Sequence, residues 1–179
     1  MAGFTDRIIR AAKLDVELYE EVEADKEAMW QAMGVVVLSS VAAGIAAIAV
    51  HGVRGILVGT IVAIIAWYIM AYVTYLVGTK LLPEPQTSSD PGELLRTIGF
   101  SSAPGIIRVL GIIPGLAAIV FLVAGIWMLI AMVIAVRQAL DYESTWRAVG
   151  VCLIGSLVQG LIISGFFSLV SKPPQELAP

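Results

Sequence analysis

The 179-residue chain has a single cysteine, Cys152, and a single histidine, His51. One cysteine excludes an internal disulfide, and the lack of any Cys/His cluster leaves no protein-built metal site to expect. Charge is also scarce: Asp, Glu, Lys and Arg make up 14% of the residues, against about 25% in soluble domains. The net charge is −3, and the basic residues are scattered rather than clustered, which excludes a nucleic-acid surface. Catalytic signatures are missing as well. There is no Gly-x-Ser-x-Gly, no His-Glu-x-x-His and no phosphate-cradling glycine loop. Ser101-Ser102-Ala103-Pro104-Gly105 has no base near it in sequence. No enzyme and no cofactor are expected.

What the chain has in abundance is apolar sequence, at 59% of its residues. The runs 33–50, 56–78, 114–136 and 148–171 contain no Asp, Glu, Lys or Arg. Runs of this length and purity belong in a bilayer, so the chain reads as an all-α integral membrane protein. The first 30 residues are polar and amphipathic, not a basic end followed by a short apolar core. A cleavable signal peptide is therefore not expected, and the first span directs insertion.

Residues 1–31 form a polar segment ahead of the membrane domain. Phe4, Ile8, Ile9 and Ala12 fall on one helical face and Arg7, Arg10 and Lys13 on the other, with Thr5 or Asp6 as caps. Such a helix either lies on the membrane surface with its bases near anionic headgroups, or packs on the cytoplasmic ends of the spans. Asp15 and Asp25 each precede a plausible helix start. Glu17, Glu20, Glu21 and Glu23 read as a solvated acidic face, since no other metal ligands converge on them.

The stretch Ile98–Val136 has one charge, Arg108, and two prolines, Pro104 and Pro114. As one straight helix it would measure about 58 Å, roughly twice a bilayer's hydrocarbon core of about 30 Å. It must fold back. Gly111-Ile112-Ile113-Pro114-Gly115 is the expected turn, and His51-Gly52-Val53-Arg54-Gly55 is another. The expected spans are 33–50, 56–78, 95–112, 114–136 and 148–171, together a domain over 32–171. Residues 172–179 are expected to form a mobile tail. With five spans and a cytoplasmic N-terminus, eight basic residues lie inside and two outside (Arg54 and Lys172). A re-entrant 98–113 with four spans gives eight against three. The five-span arrangement is preferred, with the C-terminus outside.

Within the spans, Ser156, Gly160, Ser164 and Ser168 repeat at four-residue spacing and line one helix stripe, which predicts close helix–helix contact. Gly55/Gly59 and Gly111/Gly115 repeat the theme. Gln159 needs an interhelical hydrogen-bond partner. Cys152 reads as a small buried apolar residue, and Trp127 with Met128 as packing against lipid or neighbouring helices. Arg108 has no carboxylate near it at depth. Pro104 frees the carbonyl four residues earlier and kinks the arm. Arg108 then reads as the anchor of a broken helix, snorkelling outward to a lipid phosphate or capping exposed carbonyls, with a headgroup or substrate contact as the functional alternative.

The segments Leu95-Arg-Thr-Ile-Gly-Phe-Ser-Ser-Ala-Pro-Gly105 and Arg108-Val-Leu-Gly-Ile-Ile-Pro114 carry a resemblance, as do Ile126-Trp127, Val136-Arg-Gln-Ala-Leu140 and Ser144-Thr-Trp-Arg-Ala148. Together with the head Leu14-Asp15 through Asp25, they resemble the Yip-domain family, the Ypt/Rab-interacting proteins, in compact prokaryotic form. The resemblance covers roughly residues 4–171. It implies five spans and a cytosolic N-terminus, and so a bacterial inner-membrane location. Eukaryotic relatives bind small GTPases. The long cytosolic region they carry is missing here, so small-GTPase binding is not expected. The resulting expectation is a non-enzymatic, oligomeric scaffold or membrane-organising partner. The alternatives are a transporter or channel subunit with a polar pathway near Arg108 and Gln159, and an accessory subunit of a larger membrane complex.

Overall fold

The computed structural model describes the backbone of residues 3–170 and the side chains of residues 3–165; the 172–179 tail and the Ser168 side chain lie outside the described residues. Two short helices come first, α1 (Phe4–Ala12) and α2 (Val16–Ala24). Leu14 between them has φ 63°, and the amides of Leu14 and Asp15 donate back to Ala11 and Arg10. This double bond closes the open end of α1, in a conformation where glycine is usual. Asp15 caps α2 by accepting from the Glu17 amide at 3.1 Å. The α1 cap falls on Gly3, without a side-chain bond, so Thr5 and Asp6 lie inside the helix instead of before it.

The hairpin of α1 and α2 packs on the bundle. The Trp127 indole donates to the Ala12 carbonyl at 2.8 Å, and the Arg96 guanidinium donates to the Val22 and Glu23 carbonyls at the end of α2. Arg7 is buried rather than set out toward headgroups. It pairs with Glu21 and Asp25, each at 2.8 Å, while Arg10 reaches Asp15 and Glu21 at 2.7 and 2.6 Å. The acidic residues are therefore not simply a solvated face: Glu21 and Asp25 neutralise the bases of α1.

Next come α3 (Ala28–Ala46) and α4 (Ile48–Leu76), antiparallel, with Gly44 against Ile56 and the Ser40 hydroxyl bonded to Thr60. Gly52 breaks the start of α4 at φ 61°, ψ −172°, a conformation essentially confined to glycine. The chain leaves α4 through a π turn, Val77–Leu81; the Gly78 carbonyl within it and the Leu82 carbonyl just after it meet the Tyr142 hydroxyl at 2.9 and 2.7 Å.

Helix α5 (Pro91–Phe100) opens on a full capping box. Asp90 accepts from the Gly92 and Glu93 amides, and Glu93 accepts from the Asp90 amide. It ends four residues before Pro104, at the carbonyl that proline cannot satisfy. From Ala103 to Ile112 the backbone continues as a 3-10 helix. Residues 95–112 are thus a broken rod, not a single α-helix.

The rod lies along α3 and runs in the same direction. A Cβ at Gly99 would lie 2.7 Å from Ala32 Cβ, one at Gly105 would collide with the Ser39 hydroxyl, and one at Gly111 would lie 3.1 Å from Ala46 Cβ. From Ala32 to Ala46 an α-helix rises about 21 Å. The rod covers that depth from Gly99 to Gly111 at about 1.75 Å per residue, between the α value of 1.5 and the 3-10 value of about 2.0. The 3-10 stretch thus lets a short segment traverse as much depth as α3.

A turn at 113–116, with Gly115 at φ 84°, leads into α6 (Ala117–Ala139), and α7 (Thr145–Val170) follows. The loops 82–90 and 141–144 meet at one end of the bundle. Glu84 accepts from the Glu143 amide at 2.8 Å, and Arg147 donates to the Pro83 carbonyl at 2.7 Å. Gly111 beside Ala46 marks the opposite end.

Among the described residues, four helices are long and apolar enough to cross a membrane: Ala28–Ala46, Ile48–Leu81, Ala117–Ala139 and Thr145–Gly165. Their outer faces are apolar, with Ile61, Ile65, Leu122, Ile126, Leu157 and Leu161 all exposed. So much contiguous apolar surface is stable only against lipid tails.

Candidate functional site: a cavity within the helices

Between the helices lies a cavity of about 400 Å³, within the range of small-molecule sites. Its walls come from α3 (Val36, Ser39, Ser40), α4 (Ala63, Ala66, Trp67, Met70), the broken rod (Ile98, Ser101, Ser102, Arg108), α6 (Gly125, Met128, Leu129, Met132) and α7 (Gln159). Arg108 and Gln159, both singled out by the sequence, face this one space.

Arg108 owes its position to the break at Pro104. Its Nε donates to the Gly105 carbonyl at 2.9 Å, one 3-10 turn back. Its Nη2 donates to both the Ser39 carbonyl, at 2.9 Å, and the Ser39 hydroxyl, at 2.7 Å. The side chain therefore caps carbonyls, as one of the expected roles required, but it folds back along α3, away from the Pro114 turn. The Phe121 ring stands 6.0 Å from the guanidinium carbon, at the outer limit of a cation–π contact. Among the described residues no carboxylate pairs with Arg108, and its Nη1 has no protein acceptor.

Gln159 finds the interhelical partner expected of it: its amide nitrogen donates to the Ala66 carbonyl on α4. Trp67 donates to the Leu95 carbonyl at 2.9 Å and joins α4 to α5. Ser101 returns its hydroxyl to the Ile98 carbonyl at 2.7 Å. The Ser102 hydroxyl has no protein partner among the described residues.

Pro104 is buried inside the 3-10 helix, whereas Pro114 sits exposed in the turn before α6. Along α7, Ser156, Gly160 and Ser164 are exposed, and a Cβ at Gly160 would meet nothing within 4 Å. These three described positions of the stripe are thus left uncovered within one copy. Gly111 does face a helix, while Gly59 stands in open space. Cys152 is buried.

Ser39, Trp67, Ser102 and Gly125 were not anticipated as parts of a site. A serine in an apolar run is a weak signal, because helical serines commonly satisfy themselves on the preceding turn. Trp127 also has a more specific role than packing: it ties α6 to the end of α1.

No curated protein and no solved structure matches the chain. The Yip1 domain matches residues 17–167, which takes in α2 through most of α7 and every residue lining the cavity. The chain belongs to the Yip1 domain family.

Proposed function

We propose that this protein is a non-enzymatic scaffold of the bacterial inner membrane that crosses the bilayer five times and assembles with a second copy through α7. The observation that carries the reading is the exposed stripe Ser156–Gly160–Ser164, a close-approach surface with no helix on it in the single chain. Small residues let two backbones approach, and van der Waals packing and interhelical hydrogen bonds then hold them together.

Two observations support five crossings over four. The rod runs along α3 from Gly99, at the level of Ala32, to Gly111, at that of Ala46. The loops 82–90 and 141–144 share one end, whereas a re-entrant 98–113 would put them on opposite sides. The charge balance then sets the N-terminus in the cytoplasm and the C-terminus outside.

The test is the mass of the full chain in nanodiscs, measured for the native sequence and for Gly160→Leu and Ser164→Leu. A native dimer or higher oligomer that falls to monomer in the variants supports the scaffold. An unchanged distribution sinks it, and a stoichiometric foreign subunit in the native sample favours the accessory-subunit alternative. The transport alternative draws on a different observation, the shared cavity of Arg108 and Gln159. It requires that cavity to open in turn to both sides of the membrane.

A further inference from the structure

We propose that the cavity at Arg108 is a binding site for a phosphate-type oxyanion, carried on a membrane amphiphile or free. The charge requires an explanation. Arginine stays protonated under all ordinary conditions, and a cation between membrane helices is costly unless an anion accompanies it. The described residues supply Arg108 with the Gly105 and Ser39 carbonyls and the Ser39 hydroxyl but with no counter-charge, and Nη1 still has hydrogen atoms to donate.

The remaining polar groups suit the same ligand. Ser102 offers an unused hydroxyl to the cavity, and Gln159 keeps one amide hydrogen beyond its bond to Ala66. No carboxylate lines the space, so a cation would be repelled and an oxyanion is not. Neutral donors gathered around one guanidinium, with no anionic acceptor among them, recognise phosphate by charge-assisted hydrogen bonds.

Shape adds the amphiphile. A volume of about 400 Å³ holds a headgroup but not the two acyl chains of a lipid. The chains need a way out, and one exists along α6. Gly125 and Leu129 line the cavity and are both exposed, and a Cβ at Gly125 would meet nothing within 4 Å. Missing side-chain bulk at Gly125 leaves the wall open on the apolar flank of α6, next to Leu122 and Ile126. This site is separate from the α7 stripe, so assembly and ligand binding can fail independently.

The experiment is native mass spectrometry of the full chain in a neutral detergent with three probes: phosphatidic acid, inorganic phosphate, and diacylglycerol of the same chains. Arg108→Gln removes the charge, and Gly125→Leu puts bulk into the opening in the α6 wall at a residue that takes no part in the Arg108 hydrogen bonds. Arg54→Gln removes an exposed cation elsewhere, and thermal melts report folding of each variant. Phosphatidic acid is expected to bind, with at least tenfold loss in Arg108→Gln and in Gly125→Leu and no loss in Arg54→Gln. Phosphate binding with the same variant profile assigns the free anion as ligand. The proposal is overturned if neither phosphate-bearing probe binds, if diacylglycerol binds as well as phosphatidic acid, or if Arg54→Gln loses as much as Arg108→Gln. It is equally overturned if either cavity variant keeps full affinity. Should one cavity variant fail to fold, the other decides.

Discussion

The Gly99 backbone lies so close to Ala32 that a Cβ added at Gly99 would sit 2.7 Å from the Ala32 Cβ and 3.1 Å from its carbonyl oxygen. This contact fixes the level at which the broken rod meets α3. Every residue after it, Arg108 included, is positioned from there.

Gly99→Val should therefore destabilise the protein by about 1–3 kcal/mol, because the atoms in the way are the Ala32 Cβ and the α3 backbone, which cannot rotate aside. Gly59→Ala meets nothing within 4 Å. It should be neutral or stabilising by up to about 1 kcal/mol through helix propensity. Thermal melts of both variants in one detergent check the contrast.

The clasp between α1 and α2 should be sensitive to acid. Hydrogen bonds from Arg10 hold Asp15, and those from Arg7 hold Asp25, below the ordinary carboxylate range. Burial pushes Glu21 up, but the bonds from Arg10 and Arg7 outweigh it and keep it low as well. Carboxylates depressed in the folded state add stability that is complete above their unfolded pKa, about 4, and is lost as pH falls through the lower folded values. Hydrogen exchange over residues 4–24 should accelerate below about pH 4 ahead of the membrane helices. Arg7→Met should bring the same opening to pH 7, at about 1–3 kcal/mol, less than a fully buried pair because Glu21 and Asp25 remain 32% and 27% exposed.

Glu23 should act in the opposite sense. Burial, then the neighbouring Glu93 and Asp141 charges, raise it to about 7. A carboxyl raised on folding binds more protons in the native state between its unfolded value, near 4.5, and about 7. Its contribution to stability therefore falls as pH rises through that window. Glu23→Gln should raise the melting temperature at pH 8 and leave it nearly unchanged at pH 4.5. A gain of the same size at both would contradict the assignment.

The proposed five crossings put the loops 82–90 and 141–144, which touch, on one side of the membrane. In a Cys152→Ser background, cysteines at Ser88 and Glu143 should label from the same side of the membrane. Cysteines at Val53 and Gly115 should label only from the other. Labelling of Ser88 and Glu143 from opposite sides would return the rod to a re-entrant loop.

Several parts of this architecture were legible in the chain alone. The long runs without charge declare the membrane, because transfer into lipid is roughly additive over residues. The end of α5 is written in Pro104, whose ring and missing N–H act on its own neighbours, and the capping box is written in Asp90 and Glu93. Gly52 and Gly115 mark breaks for the same local reason. The segment Gly99-Phe-Ser-Ser-Ala-Pro104, one of those that carry the resemblance, coincides with this device. Its glycine sets the rod against Ala32 and its proline lengthens the rise.

The partners of the charged groups were decided only in three dimensions. Arg108 reads from sequence as an outward anchor because nothing nearby in the chain can hold it. Its acceptor Ser39 is 69 residues away and comes within reach only when the rod packs along α3. The period of α1 leaves Arg7 open to a headgroup contact or to packing on the ends of the spans; Glu21 and Asp25 reach it only across a turn closed by Leu14 in a left-handed conformation. Local chemistry fixed where the helices begin, break and enter lipid, since each such choice is made within a turn or two of backbone. The cavity, and the unpaired charge within it, came from how five separately specified segments pack. That packing depends on contacts between residues the sequence keeps far apart.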